Sequence, residues 1–449
     1  MLKGQAVKGA ALLSIRQILV GLVTVVGIVA LPLMLTPAEF SLYGYVSAVI
    51  LIGAALGDLG LGAYIIKNRV TDRDMSRSLG LQVAFWLLLC LLLLAVSLTL
   101  NPFGFANSTT LLLLLALLLF SLQALPTAVL EKQLRFASIS AIEVTQRVTL
   151  ITIAVTLAAI EPSEWSIPLA AAVAALVGYP AVMIASRWRW RPRLGGGEPI
   201  FRGFSSQWWQ VRMANQAAYA AYPLLGGLLF SAYDVGLIVW ALAVTSIPAY
   251  LAPMVARATF PTLSLATPEE RVRIYSPLFR GLLLVGMPMV AAIFVSAGPV
   301  TRDIFGSAWV DGIPLLRLES ITTTIAIASA SVVPFLFLTC PPETVKRLSV
   351  GATVAIVVLS IALSPWLGYL SISVATIVAA SVQLFLFDRL LARAVNYSLL
   401  RDMLPAVSGL LIAVAVALPI VLVKDTLAWA IVAAVLAGLI QLAITFLLK

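Results

Sequence analysis

Eight charged side chains stand inside stretches that are otherwise apolar: Arg16, Arg147, Arg212, Arg280 and Arg317, with Asp58, Glu143 and Glu319. A basic residue at the middle of a membrane helix costs about 2.5–3.5 kcal/mol on the insertion scale, so it faces a cavity or a partner, or reaches for the surface. The excess is cationic, and a cavity shared by these groups attracts anions. Arg212 is the deepest. Ser205, Trp208, Arg212, Asn215, Tyr219 and Tyr222 recur at intervals of three or four, so they share one helical face. Such a face is either a polar seam against neighbouring helices or the lining of a cavity. Its cation, amide and aromatic hydroxyls favour the lining. Arg16 lies 196 positions before Arg212, with Ser14, Gln17 and Thr24 near it; its other reading is a side chain snorkelling to the surface. Asp58, in Gly57-Asp-Leu-Gly-Leu-Gly62, either bridges to Arg16 or carries a coupling proton. Glu143 and Arg147, four apart, either pair along their helix or serve the cavity. Arg280 is shallow enough to snorkel, and Arg317 is as shallow at the opposite end, close to Glu319.

The elements that must position these residues follow from composition. Of 449 residues, 61% are hydrophobic and only 11% charged. A soluble domain is about a quarter charged, so lipid is the solvent and the chain is an all-α polytopic membrane protein. There is no histidine, hence no imidazole base or zinc-histidine site, and two cysteines are too few for a disulfide scaffold. Fourteen apolar runs are long enough to span, at 11–33, 40–66, 79–100, 109–130, 141–160, 166–186, 204–230, 235–257, 276–297, 312–339, 349–364, 366–388, 403–423 and 427–448. Most of the 29 basic residues fall on one side of these runs, with only Arg302 and Lys424 opposite. The positive-inside rule makes that side and both termini cytoplasmic. The net charge of +10 is thus a topology signal and gives no case for nucleic acid. Trp188 and Trp190 are expected in an interfacial aromatic belt, and the longest outer loop is expected at about 298–311.

The two halves repeat. Leu35-Thr-Pro-Ala-Glu-Phe-Ser-Leu-Tyr43 is matched by Phe230-Ser-Ala-Tyr-Asp-Val-Gly-Leu-Ile238, and Thr71-Asp-Arg-Asp74 by Thr267-Pro-Glu-Glu270. Parallel repeats with a site between them are a transporter trait. The expected division is an N-terminal lobe at 1–186, a basic cytoplasmic linker at 187–203, a C-terminal lobe at 204–402 and two additional helices at 403–449. No phosphate-binding loop, metal-ligand spacing or nucleophile elbow is present. Neither enzyme chemistry nor a cofactor or metal is expected, and the drive is an ion gradient, the membrane potential or substrate supply.

Leu35-Thr-Pro-Ala-Glu-Phe-Ser-Leu-Tyr-Gly44, Gly57-Asp-Leu-Gly-Leu61, Ala232-Tyr-Asp-Val-Gly-Leu237, Phe260-Pro-Thr-Leu-Ser264 and Phe305-Gly-Ser-Ala-Trp309, in this order, resemble the polysaccharide-transporter (O-antigen and exopolysaccharide flippase) family of the multidrug/oligosaccharidyl-lipid/polysaccharide (MOP) exporter superfamily. The chain departs from it at Ser41 and Ile238. The resemblance implies two pseudo-symmetric six-helix lobes in a V with two extra helices, in a bacterial inner membrane. It implies translocation of an undecaprenyl-diphosphate-linked oligosaccharide from the cytoplasmic to the outer leaflet, for cell-surface polysaccharide assembly, by alternating access. Helices one and seven would line the cavity. Arg212 and Arg16 would then hold the diphosphate, whose oxygens guanidinium forks match. Gln17, Trp208, Asn215, Tyr219 and Tyr222 would line the cavity, and Asp58, Glu143 and Arg147 would be coupling or ion-pair groups. The partners implied are the lipid-linked oligosaccharide and membrane lipids, with a polysaccharide polymerase and glycosyltransferases. A lipid II flippase and a cation-coupled multidrug exporter of the same superfamily are the alternatives, the second needing an acidic cavity. A membrane glycan polymerase or ligase fits poorly with the short outer loops.

Overall fold

Within hydrocarbon a backbone N–H or C=O has no water to bond, so an open chain crosses it as helix. The computed structural model describes residues 19–58, 65, 71–99, 106–133, 135–161, 163, 165–193, 204–250, 252, 255, 263, 266–424 and 426–447, without the side chains of 49, 54–58, 204–208, 211, 212 and 215. Among the described residues there is no strand. Among the described residues, six helices precede the basic segment: α1 (Leu19–Met34), α2 (Pro37–Asp58), α3 (Asp72–Thr99), α4 (Asn107–Leu122, resuming after Gln123 as Ala124–Lys132), α5 (Phe136–Ile160) and α6 (Ser166–Ala185). 

The two parts of α4 are one span broken at Gln123. After the basic segment come α7 (Phe204–Leu229), α8 (Ala232–Thr245), α9 (Pro268–Val300), α10 (Ile313–Thr339), α11 (Pro342–Leu367), α12 (Ser371–Val395), α13 (Leu399–Val423) and α14 (Leu427–Leu447). Each of the fourteen apolar runs carries helix among its described residues. Among the described residues, nine helical segments are long and apolar enough to cross a membrane. One of them, Pro342–Val395, joins α11 and α12 through a 3-10 turn.

The repeated motifs are helix starts. Thr36 N–H donates to Glu39 Oε2 at 2.8 Å while Glu39 N–H donates back to Thr36 Oγ1 at 3.4 Å. Ser231 and Asp234 make the same reciprocal pair, as do Thr71 with Asp74 and Thr267 with Glu270. Each is a capping box, which satisfies two N–H groups that the first turn leaves open. The Thr267 box and Pro268 at the first helical position start α9 eight residues before the apolar run at 276. The expected outer loop at 298–311 is also helical. A π turn at Thr301–Phe305 and a 3-10 turn at Ser307–Gly312 flank Gly306, whose φ of +89° suits glycine. Phe305 and Trp309 pack on Trp240 with centroids 5.2 and 5.1 Å away, so the Phe305-Gly-Ser-Ala-Trp309 motif closes the end of α8.

The chain forms two compact units, Met1–Leu228 and Leu229–Lys449. In the first, α6 buries Ala170, Ala171, Ala174, Ala175 and Gly178, small residues that let α4 and α5 approach closely. Polar side chains join the helices. Gln82 Nε2 donates to Ser121 O at 2.7 Å, and Gln146 Nε2 donates to Gln123 Oε1 at 3.0 Å. The segment Arg187–Arg193 lies along the start of α3. Arg193 N–H donates to Ser76 O at 2.9 Å, and Trp190 Nε1 donates to Asp72 Oδ1 at 2.8 Å. Trp188 and Trp190 pack against the buried cluster of Ile65, Met75, Leu79, Leu125, Ala128 and Val129. In the second unit, α9 is the central helix, packed by α10, α13 and α14. Ala413, Ala417, Ala430, Ala433 and Ala437 bring α13 and α14 together against Ala291 and Val295 of α9.

A Cβ at Gly178 would lie 1.7 Å from Gln146 Nε2. Gly178→Ala is expected to destabilise the protein by about 1–3 kcal/mol, read as a lower melting temperature in detergent. Gln146→Ala in the same chain should recover part of that loss, so the two changes should be non-additive in a double-mutant cycle.

Candidate functional site

The polar stripe lies on α7, a 26-residue helix with Pro223 inside it. At 3.6 residues per turn, Ser205, Trp208, Arg212, Asn215, Tyr219 and Tyr222 fall within an arc of about 100°. Arg212 and Tyr222 are about 15 Å apart along the axis. The side chains of Ser205, Trp208, Arg212 and Asn215 lie outside the described residues. The two tyrosines one turn apart differ: Tyr219 is 43% exposed and Tyr222 only 2%. The stripe therefore runs from an accessible position into a packed one. Its far end is tied to α2, because Gly227 lets the Tyr45 hydroxyl approach; a Cβ there would lie 2.4 Å from that oxygen.

The other expected site residues are placed unequally. Arg16 and Gln17 lie outside the described residues. Thr24, on α1, is buried and its hydroxyl donates to Val20 O at 2.7 Å. Asp58 ends α2, its side chain outside the description. Glu143 and Arg147 stand one turn apart on α5, both half-buried.

The remaining charges within spans have found partners or stacking faces. Glu319 is fully buried on α10 and accepts a hydrogen bond from Ser373 of α12. The Arg317 guanidinium lies 6.0 Å from the Phe294 ring centroid. Arg280 on α9 does more than snorkel. Its guanidinium donates to Asp402 Oδ1 of α13 at 2.6 Å, while Ser276 and Tyr397 hydroxyls donate to Asp402 Oδ2 at 2.5 and 2.8 Å. Asp402 is the residue that the apolar pattern passes over, since the run it precedes begins at 403. Ser398 caps α13 and starts it at Leu399, which brings Asp402 into the first turn. Ser398 as a helix-start residue was the available signal; the partner, 122 positions away, had none.

The residues 31–314, more than half of the chain, match the model of a family described as polysaccharide biosynthesis protein. The chain belongs to that family. Among solved structures, it is similar to the lipid II flippase MurJ in an inward-closed conformation, at 12% identity and a TM-score of 0.74, covering 97% of this chain and 98% of that one. It is also similar to a multidrug resistance MATE family transporter of the MOP superfamily, inward-facing, at 16% identity and a TM-score of 0.60, covering 86% and 98%. The outward-facing form of such a transporter aligns at 14% identity and a TM-score of 0.56, covering 87% and 97%. No curated protein matches the chain in sequence. The family member has the MOP exporter fold, a fold of flippases and transporters.

Removing either partner of the Arg280–Asp402 pair should have unequal effects. The Arg280 side chain is 44% exposed and the Asp402 side chain 4%. Without Arg280 a buried carboxylate keeps only two hydroxyl donors, whereas Arg280 freed of Asp402 can turn to water. Arg280→Ala is expected to cost about 1–3 kcal/mol, and more than Asp402→Asn, as read by thermal unfolding of the detergent-solubilised protein.

Proposed function

We propose that this protein is a flippase that carries an undecaprenyl-diphosphate-linked oligosaccharide from the cytoplasmic to the outer leaflet of a bacterial inner membrane, for cell-surface polysaccharide assembly. The observation that carries the reading is the match of residues 31–314 to a polysaccharide biosynthesis family on a chain with the fold of flippases. A glycan joined to a charged diphosphate cannot cross hydrocarbon unaided, and a transporter in that biosynthesis supplies the crossing.

The mechanism follows from charge and from two states. The lobes expected from the sequence repeat are 1–186 and 204–402, joined through 187–203, with 403–449 as two added helices; the compact units divide later, at Leu228, which leaves nearly all of α7 with the first. The headgroup enters from the cytoplasmic side, where the basic loops lie. Arg212 and Arg16 take the diphosphate oxygens in forked hydrogen bonds, and Gln17, Trp208, Asn215, Tyr219 and Tyr222 line the path of the sugars. A substrate shifts the equilibrium between inward and outward states only by its different affinity for the two. Release outside therefore needs weaker binding there, a potential acting on net charge, or a counter-ion; Asp58 is the candidate for the last, with Glu143 and Arg147 as an ion-pair alternative. Glycosyltransferases supply the substrate and a polysaccharide polymerase consumes it.

The likeness to a lipid II flippase over nearly the whole chain favours a second reading, with lipid II as the headgroup. A cation-coupled multidrug exporter is disfavoured by the cationic excess among the charges within spans.

The test is movement of a fluorescent lipid-linked oligosaccharide diphosphate across proteoliposomes. The native protein should move it, and Arg212→Gln, at matched folding, should slow it about tenfold or more, the value of a charge-assisted hydrogen bond. Movement untouched by the mutation returns Arg212 to a structural role. Movement of lipid II alone selects the second reading.

A further inference from the structure

The second unit holds a cleft of about 230 Å³ lined by Arg280, Leu283, Arg401, Asp402, Pro405, Ala406 and Thr445. We propose that it binds the phosphate of an anionic phospholipid headgroup in the cytoplasmic leaflet.

Charge comes first. Both oxygens of Asp402 are occupied, one by Arg280 and the other by the Ser276 and Tyr397 hydroxyls. The carboxylate is thus neutralised, and it positions Arg280 instead of repelling an anion. Arg280 remains 44% exposed beside it. Arg401, on the first turn of α13, is exposed and makes no ion pair among the described residues. The cleft therefore carries one positive charge beyond its internal pair, on two guanidinium groups suited to phosphate oxygens. Thr445 takes no part as a donor, since its hydroxyl already donates to Gln441 O at 2.8 Å.

Depth comes second. Arg280 lies about 18 Å along α9 from its start, and Arg401 about 3 Å along α13. At the cleft, then, α9 extends about 15 Å past the start of α13. That extension carries Glu269, Glu270 and Arg273, which are exposed and belong in water. The cleft lies where this polar extension meets the apolar spans, which is headgroup level. The orientation expected from the basic loops puts that level on the cytoplasmic side. Beside it Leu404, Phe446 and Leu447 are 64, 60 and 83% exposed, an apolar rim for acyl chains rather than for a soluble anion. Basic pockets between helices on this side suit such headgroups.

The test uses full-length protein in detergent and reads retained lipid by native mass spectrometry. Phosphatidylglycerol and phosphatidylcholine of equal chain length are compared, with inorganic phosphate and a polyprenyl diphosphate as competitors. The native protein should prefer phosphatidylglycerol, and Arg401→Gln should reduce that preference about fivefold, the contribution of one basic residue near an anionic surface. Its melting temperature without lipid should stay near native, because Arg401 is exposed and has no ion-pair partner among the described residues. Arg280→Lys, which keeps the charge and loses the fork, should weaken retention as well. No preference in the native protein, or an unchanged preference in Arg401→Gln, overturns the proposal. Displacement by inorganic phosphate at the same concentration assigns a free-anion site, and displacement by the polyprenyl diphosphate below the phosphatidylglycerol concentration assigns the cleft to the transported lipid; either overturns it. The readout needs no transport, so its failure is distinct from failure of the flippase reading.

Discussion

A polar group within hydrocarbon has no water to fall back on, and that constraint shapes each element of this protein. It makes the backbone helical, and it makes helix starts costly, because four N–H groups remain open at each. Thr36 with Glu39, Thr71 with Asp74, Ser231 with Asp234 and Thr267 with Glu270 answer this with the same reciprocal pair of hydrogen bonds. The same constraint selects the interior. Helices immersed in lipid gain little from apolar contact with each other, so alanines and glycines bring them close and side-chain amides join them. Gln82 and Gln146 do the joining in the first unit, and Asp402 gathers an arginine and two hydroxyls in the second.

How much of this could be read from the sequence depends on the range of the interaction. The helices are legible because each apolar run is a local property, and the start motifs because a capping box spans four residues. Boundaries shift where a cap outweighs hydropathy: α9 begins at Pro268 and not at 276 because Thr267 and Glu270 extend it into polar sequence. The region 298–311 reads as a loop because its residues are mixed in polarity. In the structure, helical turns around Gly306 and the aromatic contacts of Phe305 and Trp309 with Trp240 order it. Trp188 and Trp190 read as interfacial by type, while their packing on Met75, Leu79 and Val129 depends on contacts more than fifty residues away.

The candidate site was legible as a pattern and not as an arrangement. Spacing alone puts Trp208, Arg212, Asn215, Tyr219 and Tyr222 on one face of α7. It cannot rank them by access, and Tyr219 and Tyr222, on the same face, differ from 43 to 2% exposed because α7 is covered at one end. Arg280 shows the opposite case. An arginine four residues inside an apolar run satisfies the snorkelling reading completely, and only the tertiary contact reveals that its guanidinium also holds a buried carboxylate.

Fold does not choose the cargo here, since one architecture serves a lipid II flippase and multidrug transporters. Charge within the cavity is what separates them. A cationic drug needs acidic groups that lose protons as the cargo binds, whereas a diphosphate needs fixed positive charge that survives at any physiological pH. Arginine stays protonated and presents paired donors, and a chain without histidine has no imidazole to titrate in that range. A flippase holding its headgroup on arginine then cannot release it by deprotonating the site. Release must come from geometry, by separating the two cations that share the diphosphate, from the membrane potential acting on a headgroup whose charge they neutralise only in part, or from a counter-ion. Arg16 and Arg212 sit 196 positions apart, in the first and seventh apolar runs, so a change of state that moves the seventh span relative to the first would separate that pair. In this reading the fork that gives affinity inside is the same element whose division gives release outside.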